Sequence, residues 1–134
     1  MKATMQYQLE INDRPFKAIL AGTKKIEGRT ITKSDKTPYN KFKQNDLIVF
    51  VNNVSNKTLI VKIRFVRHYP NVKKMLEAEG VLHVLSSTPK TIEHGIESYN
   101  SLEGYKEGIT KNGIYAIGIE LLPYINKKLE KYHI

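Results

Sequence analysis

The stretch FKAILAGTKKIEGRT, residues 16–30, changes its apolar period part-way along. Phe16, Ile19 and Leu20 recur at i, i+3 and i+4, the spacing of a helix that buries one stripe. Gly22 follows, the residue type that ends helices because it enters the left-handed region without a side-chain clash. Beyond it, KKIEGRTI alternates. Lys25, Glu27 and Arg29 would project from one face of a strand, and Ile26, Gly28 and Thr30 from the other. Upstream, Asp13 suits the helix cap and Pro15 its first turn, and QYQLEI (6–11) alternates as an opening strand. The chain therefore starts strand, short helix, strand.

The remainder reads outward from there. TKSDKTPYNKFKQND (32–46) is polar and turn-rich, a long loop of the kind that is often functional or mobile. LIVFVN (47–52) is a buried strand. NVSNK turns, and TLIVKIRFV (58–66) returns with Leu59, Val61, Ile63 and Phe65 inward and Lys62 and Arg64 outward, giving a hairpin. PNVKKMLEAEG (70–80) reads as a helix capped by Asn71 and ended by Gly80, with Val72, Met75, Leu76 and Glu79 on one face. VLHVLSS is ambiguous. A further helix is expected to start at Thr88 and Pro89, with Ile92, Ile96 and Tyr99 as its stripe. GIYAIGIELL (113–122) is apolar on both faces and so reads as a central strand. PYINKKLEKYHI (123–134) is a basic tail. Strands in hairpins with interspersed helices, and no regular βαβ alternation, indicate an α+β fold with a mostly antiparallel or barrel-like sheet.

A chain of 134 residues suggests a single domain, residues 1–134. It holds no cysteine, which excludes disulfides and thiolate metal sites. His68, His83, His94 and His133 lack metal-ligand spacing, so no metal and no cofactor are expected. There is no nucleophile elbow and no Gly-rich phosphate loop. The start MKATMQYQLE has no apolar core of a signal peptide, and the longest apolar run, LIVFV, is too short to span a bilayer; a cytoplasmic location is expected. The net charge is +9, from 22 basic and 13 acidic residues. That excess favours a polyanion, nucleic acid first and an anionic membrane second, although a lysine-rich composition alone would produce it. Membrane docking has only the tail behind it, and no membrane partner is expected.

Three groups could carry chemistry. Lys24, at the helix–strand junction, can reach the side from which Glu27 and Arg29 project. An ammonium, a carboxylate and a guanidinium that converge at a sheet mouth can do acid–base work or hold a phosphate or a base edge. The same residues, with Lys25, could equally form a surface ion-pair ladder worth under about 1 kcal/mol. Glu79, on the apolar stripe of its helix, would supply a second carboxylate to a cleft. Arg67 and Tyr69 in VRHYP, and Tyr39 in the long loop, set aromatic rings beside cations, as base-stacking surfaces do.

FKAILAGTKKIEGRT, KFKQNDLIVF, YPNVKKMLEAEG and GIYAIGIELL, in that order, resemble the ASCH domain family over roughly residues 9–122. The hallmark G-x-K-x-x-E-x-R falls on Gly22, Lys24, Glu27 and Arg29; in NDLIVF, Asn45 replaces the usual glycine. The resemblance implies a PUA-like β-barrel with flanking short helices, a cleft beside the motif helix, and binding of RNA or a nucleotide-like ligand. Lys24, Lys25, Glu27, Arg29, Arg67, Tyr69 and Glu79 are the expected binding residues. The three ionisable groups within six residues leave an alternative open, a hydrolase acting on a modified nucleoside (an acylated cytidine) or on RNA, with Lys24 as base and Glu27, or Glu79 across the cleft, activating water or donating a proton. One branch that resembles this domain hydrolyses N4-acetylcytidine with a lysine, a threonine and a glutamate. Lys24 and Arg29 match its positions, but Glu27 stands where that branch has threonine, so its nucleophile is missing here.

Overall fold

The computed structural model describes residues 3–123 and 125–126. In chain order the elements are β1 (Gln6–Ile11), α1 (Asp13–Ala21), β2 (Ile26–Arg29), a 3-10 turn (Tyr39–Lys41), β3 (Leu47–Asn52), β4 (Thr58–Tyr69), α2 (Val72–Glu79), α3 (Val81–Val84), α4 (Ile92–Asn100), α5 (Tyr105–Asn112) and β5 (Ile114–Leu121). The sheet order is β1-β3-β4-β5-β2. Among the described residues β1 and β3 run parallel, and the β3–β4, β4–β5 and β2–β5 pairings are antiparallel. The sheet curls into a half-barrel with β1 and β2 as its two edges, and the fold is the α+β, PUA-like architecture expected from the sequence.

A core lies on each face of the sheet. Phe16 and Ile19 of α1, with Tyr39 and Phe42, pack against Ile48, Phe50, Val61 and Ile117 on one face. Met75 and Leu76 of α2, Leu85 and Tyr99 pack against Ile26, Ile114 and Ala116 on the other. β5 feeds both, as its doubly apolar sequence requires. The helix-to-strand switch forms as its pattern indicates. Gly22 takes φ +83°, and its N–H donates to Ala18 and Ile19 carbonyls. The N-cap position is Asn12, one residue before the expected Asp13, which sits in the first turn and accepts a hydrogen bond from Asn52 Nδ2 at 2.9 Å. Asn71 caps α2 by accepting from Lys74 N–H at 2.9 Å.

Three features depart from the sequence reading. β4 runs on to Tyr69, with a bulge between Ile63 and Phe65. The extra residue reverses the alternation: Leu59, Val61 and Ile63 enter the first core, whereas Phe65 packs on the second. α4 starts at Ile92, not at Thr88–Pro89. Its cap is Thr91, which accepts from His94 N–H at 3.1 Å, and the Thr88–Pro89 peptide is cis. α5 was unanticipated because YKEGITKN has no apolar stripe; its buried positions are Gly108 and Ile109. A β-carbon at Gly108 would lie 2.6 Å from the Ile31 carbonyl, so the helix docks through its glycine. Most of the basic tail, Tyr124 and residues 127–134, lies outside the described residues.

Candidate functional site

The two sheet edges meet at a seam, and the motif residues fill it. The end of α1 holds the Lys24 main chain, whose N–H donates to the Ala18 carbonyl at 3.1 Å. From there Lys24 Nζ donates to the Ile26 carbonyl at 2.9 Å and to the Val84 carbonyl, and it pairs with Glu27 Oε1 at 3.3 Å. Three acceptors therefore meet the three hydrogens of the ammonium. Glu27 Oε2 accepts from Arg29 Nε at 2.8 Å. Arg29 Nη2 crosses the seam and donates to the Glu10 carbonyl of β1 at 2.8 Å. Lys24 and Glu27 are 5% and 7% exposed, so this is a buried array rather than a surface ladder.

Burial and charge act against each other in this array. Burial alone pushes the Glu27 carboxyl up, but the Arg29 and Lys24 charges and their hydrogen bonds outweigh it and hold the group below the usual carboxylate range. Burial pushes Lys24 below its ordinary value, with Glu27 opposing. For Arg29 the Glu27 carboxylate overcomes burial and keeps the guanidinium firmly charged.

Around the array lies an open cleft of about 540 Å³. Gln8–Ile11 of β1, with Asn12 beyond it, form one wall and Lys24, Glu27, Gly28 and Arg29 the other; Arg14 stands on α1 at the rim. Ser86 and Ser87, and Tyr99 and Tyr105 from α4 and α5, complete it. The two tyrosine rings are nearly parallel, 16° apart in plane with centroids 6.4 Å apart. Burial raises both phenols, Tyr105 being pushed up to about 12 and Tyr99 further, so both are neutral donors at ordinary pH. Tyr99 also explains Gly28: a β-carbon there would lie 2.5 Å from the Tyr99 hydroxyl.

The expected site residues divide into two groups. Lys24, Glu27 and Arg29 converge as anticipated. Lys25 does not join them: it precedes β2, is exposed, and does not line the cleft. Arg67, Tyr69 and Glu79 form a separate cluster between β4 and α2. Arg67 Nη1 donates to Glu79 Oε1 at 2.8 Å, the Tyr69 hydroxyl donates to Glu79 Oε2, and the Arg67 guanidinium lies 3.9 Å from the Phe65 ring centroid. None of the three lines the cleft, so Glu79 does not face Glu27 across it. The bulge is the physical reason, because it turns Phe65 toward the core that α2 packs against. Tyr39 is fully buried, with its hydroxyl on Asp35 Oδ2 at 2.5 Å, and presents no stacking face. Sequence reasoning missed Tyr105 and the β1 wall. It placed Tyr99 only on the buried stripe of its helix and gave Arg14 no role. Among the described residues, no three His, Asp or Glu side chains come together as a metal site, and no helix is long and apolar enough to cross a membrane.

The sequence matches the family model of the ASCH domain over residues 9–123. The chain belongs to the ASCH domain family. Solved structures agree with that membership. The crystal structure of hypothetical protein PH0355 superposes on this ASCH domain with a TM-score of 0.73 at 33% identity, covering 88% of this chain and 100% of that one. The solution NMR structure of protein PF0455 from Pyrococcus furiosus does so with a TM-score of 0.66 at 31% identity, covering 88% and 98%. No curated protein matches. The ASCH family is generally linked to RNA binding.

Proposed function

We propose that this ASCH domain binds single-stranded RNA or a nucleotide-like ligand in the seam cleft. One observation carries the reading: a buried Lys24–Glu27–Arg29 array forms the floor of an open cleft in a chain of net charge +9. The array's cations are neutralised from within, so it shapes and polarises the floor. Phosphates fall to the exposed Arg14 at the rim and to Lys90, whose charge already bears on Lys24. Tyr99 and Tyr105 offer hydroxyls and ring edges to a base. Titration of a fluorescent octacytidine RNA into the protein tests the reading. Micromolar binding that weakens as salt rises supports it; no binding at low salt overturns it.

A second reading is hydrolysis of an acyl amide on a modified nucleoside. It draws on the burial that lowers Lys24 beside a carboxylate 3.3 Å away, the setting of a general base. All three ammonium hydrogens already have acceptors, however, so Lys24 would first have to release a carbonyl. Binding therefore stands ahead. Incubation with N4-acetylcytidine decides between them: product release by wild type that Lys24→Ala and Glu27→Gln abolish would favour the enzyme.

A further inference from the structure

With the ionic array internally satisfied, the cleft also offers main-chain groups to a ligand. β1 is an edge strand whose only ladder among the described residues is with β3. The Leu47 N–H donates to the Met5 carbonyl and the Asn53 N–H to the Ile11 carbonyl, so the odd-numbered residues of β1 direct their polar groups at β3. Strand alternation then directs those of Gln8 and Glu10 the other way. The Arg29 bond to the Glu10 carbonyl reports the same side independently, and both residues line the cleft. No described residue pairs with the Gln8 carbonyl, the Gln8 N–H or the Glu10 N–H. The opposite edge is covered differently. On β2 the Ile26 carbonyl is taken by Lys24 Nζ, and the Tyr99 hydroxyl sits against Gly28. One lip of the seam is sealed by side chains and the other offers an acceptor and, two residues on, a donor.

We propose that the open edge of β1 reads the Watson–Crick edge of a nucleobase, the Gln8 carbonyl accepting from the base and the Glu10 N–H donating to it. This rests on the RNA-binding reading and sharpens it. Each base carries a donor beside an acceptor on that edge (N4–H and N3 in cytosine), so the contact is tolerant of base identity. It requires the edge to be unpaired, which selects single strands over duplexes and excludes a base methylated at the ring acceptor, such as 3-methylcytosine.

The experiment uses the full chain, labelled with nitrogen-15, and measures amide hydrogen exchange residue by residue with saturating octacytidine or an abasic octamer of equal charge. Glu10 is expected to exchange about tenfold more slowly with octacytidine and unchanged with the abasic strand, while Leu9, already in the β3 ladder, changes with neither. A proline variant gives a second readout. Glu10→Pro removes an N–H that the ladder does not use, the position at which an edge strand tolerates proline. It is expected to weaken octacytidine binding about tenfold and to leave abasic binding unchanged. Gln6→Pro, on the same edge but outside the cleft lining, is the matched control and is expected to bind as wild type does. Octacytidine binding with no slowing at Glu10 overturns the base contact and leaves RNA binding standing; no binding of either strand overturns both.

Discussion

Glu27 holds two cations in a place that water barely reaches. Replacing one member of such a buried set is costly because the others are left charged and without a counter-ion. Glu27→Gln is expected to lower unfolding free energy by about 3 kcal/mol at neutral pH, measured by urea denaturation. The pH profile gives an independent readout. The folded value of Glu27 lies below its ordinary 4.5, so its contribution is fully present above about 4.5 and is lost as pH falls through the folded value. The gap between wild type and Glu27→Gln should therefore close in acid. Lys24 has the same sign on the alkaline side: its folded value is below 10.5, so stability rises as pH climbs from that value toward 10.5. A gap that stays constant from pH 7 down to pH 2 would mean that the carboxylate's charge is not what the array depends on.

At the scale of elements, the junction of β2 with α4 is set by a missing side chain. Gly28 lets the Tyr99 hydroxyl approach the strand, and a β-carbon would meet Oη at 2.5 Å and Cζ at 2.9 Å. Gly28→Ala is expected to destabilise the fold by about 1–3 kcal/mol through overpacking. Tyr99→Phe removes the nearer atom. The double variant should therefore recover part of the loss, with a coupling of at least about 0.5 kcal/mol in a double-mutant cycle. Strict additivity would place the strain elsewhere. The β4 bulge acts at the same scale. Deleting Arg64 would restore regular pairing, Ile63 opposite Ile119 and Phe65 opposite Gly118, and leave Phe65, Arg67 and Tyr69 on the face they now occupy. That variant is expected to keep dispersed amide NMR signals, and their collapse would mean that the bulge itself is required by the fold.

Across the whole molecule, charge governs approach and the seam governs fit. Each phosphate neutralised on a single strand adds about 0.7 to the slope of log affinity against log salt. Arg14→Ala removes one exposed rim cation without touching the buried array, so it should reduce that slope by about 0.7 and weaken all sequences alike. An unchanged slope would move the phosphate path away from α1. Stability is built on the apolar cores of both sheet faces, so an exposed cation such as Arg14 can be replaced without touching either core.

Periodicity and turn chemistry determined the strands, the helix that ends at Gly22, the cap at Asn71 and the convergence of Lys24, Glu27 and Arg29, because these depend on residues within one or two turns of one another. The α5 helix was hidden, since it docks through Gly108 rather than an apolar stripe. The reversal of faces at Phe65 was hidden too, since one unpaired residue in a ladder leaves no local mark. Only the tertiary structure separated Arg67, Tyr69 and Glu79 from the cleft and set Arg29 against Glu10. Only it left the β1 edge open, because edge pairing and burial depend on which distant strand arrives alongside, and that is settled by how the curled sheet closes on its cores.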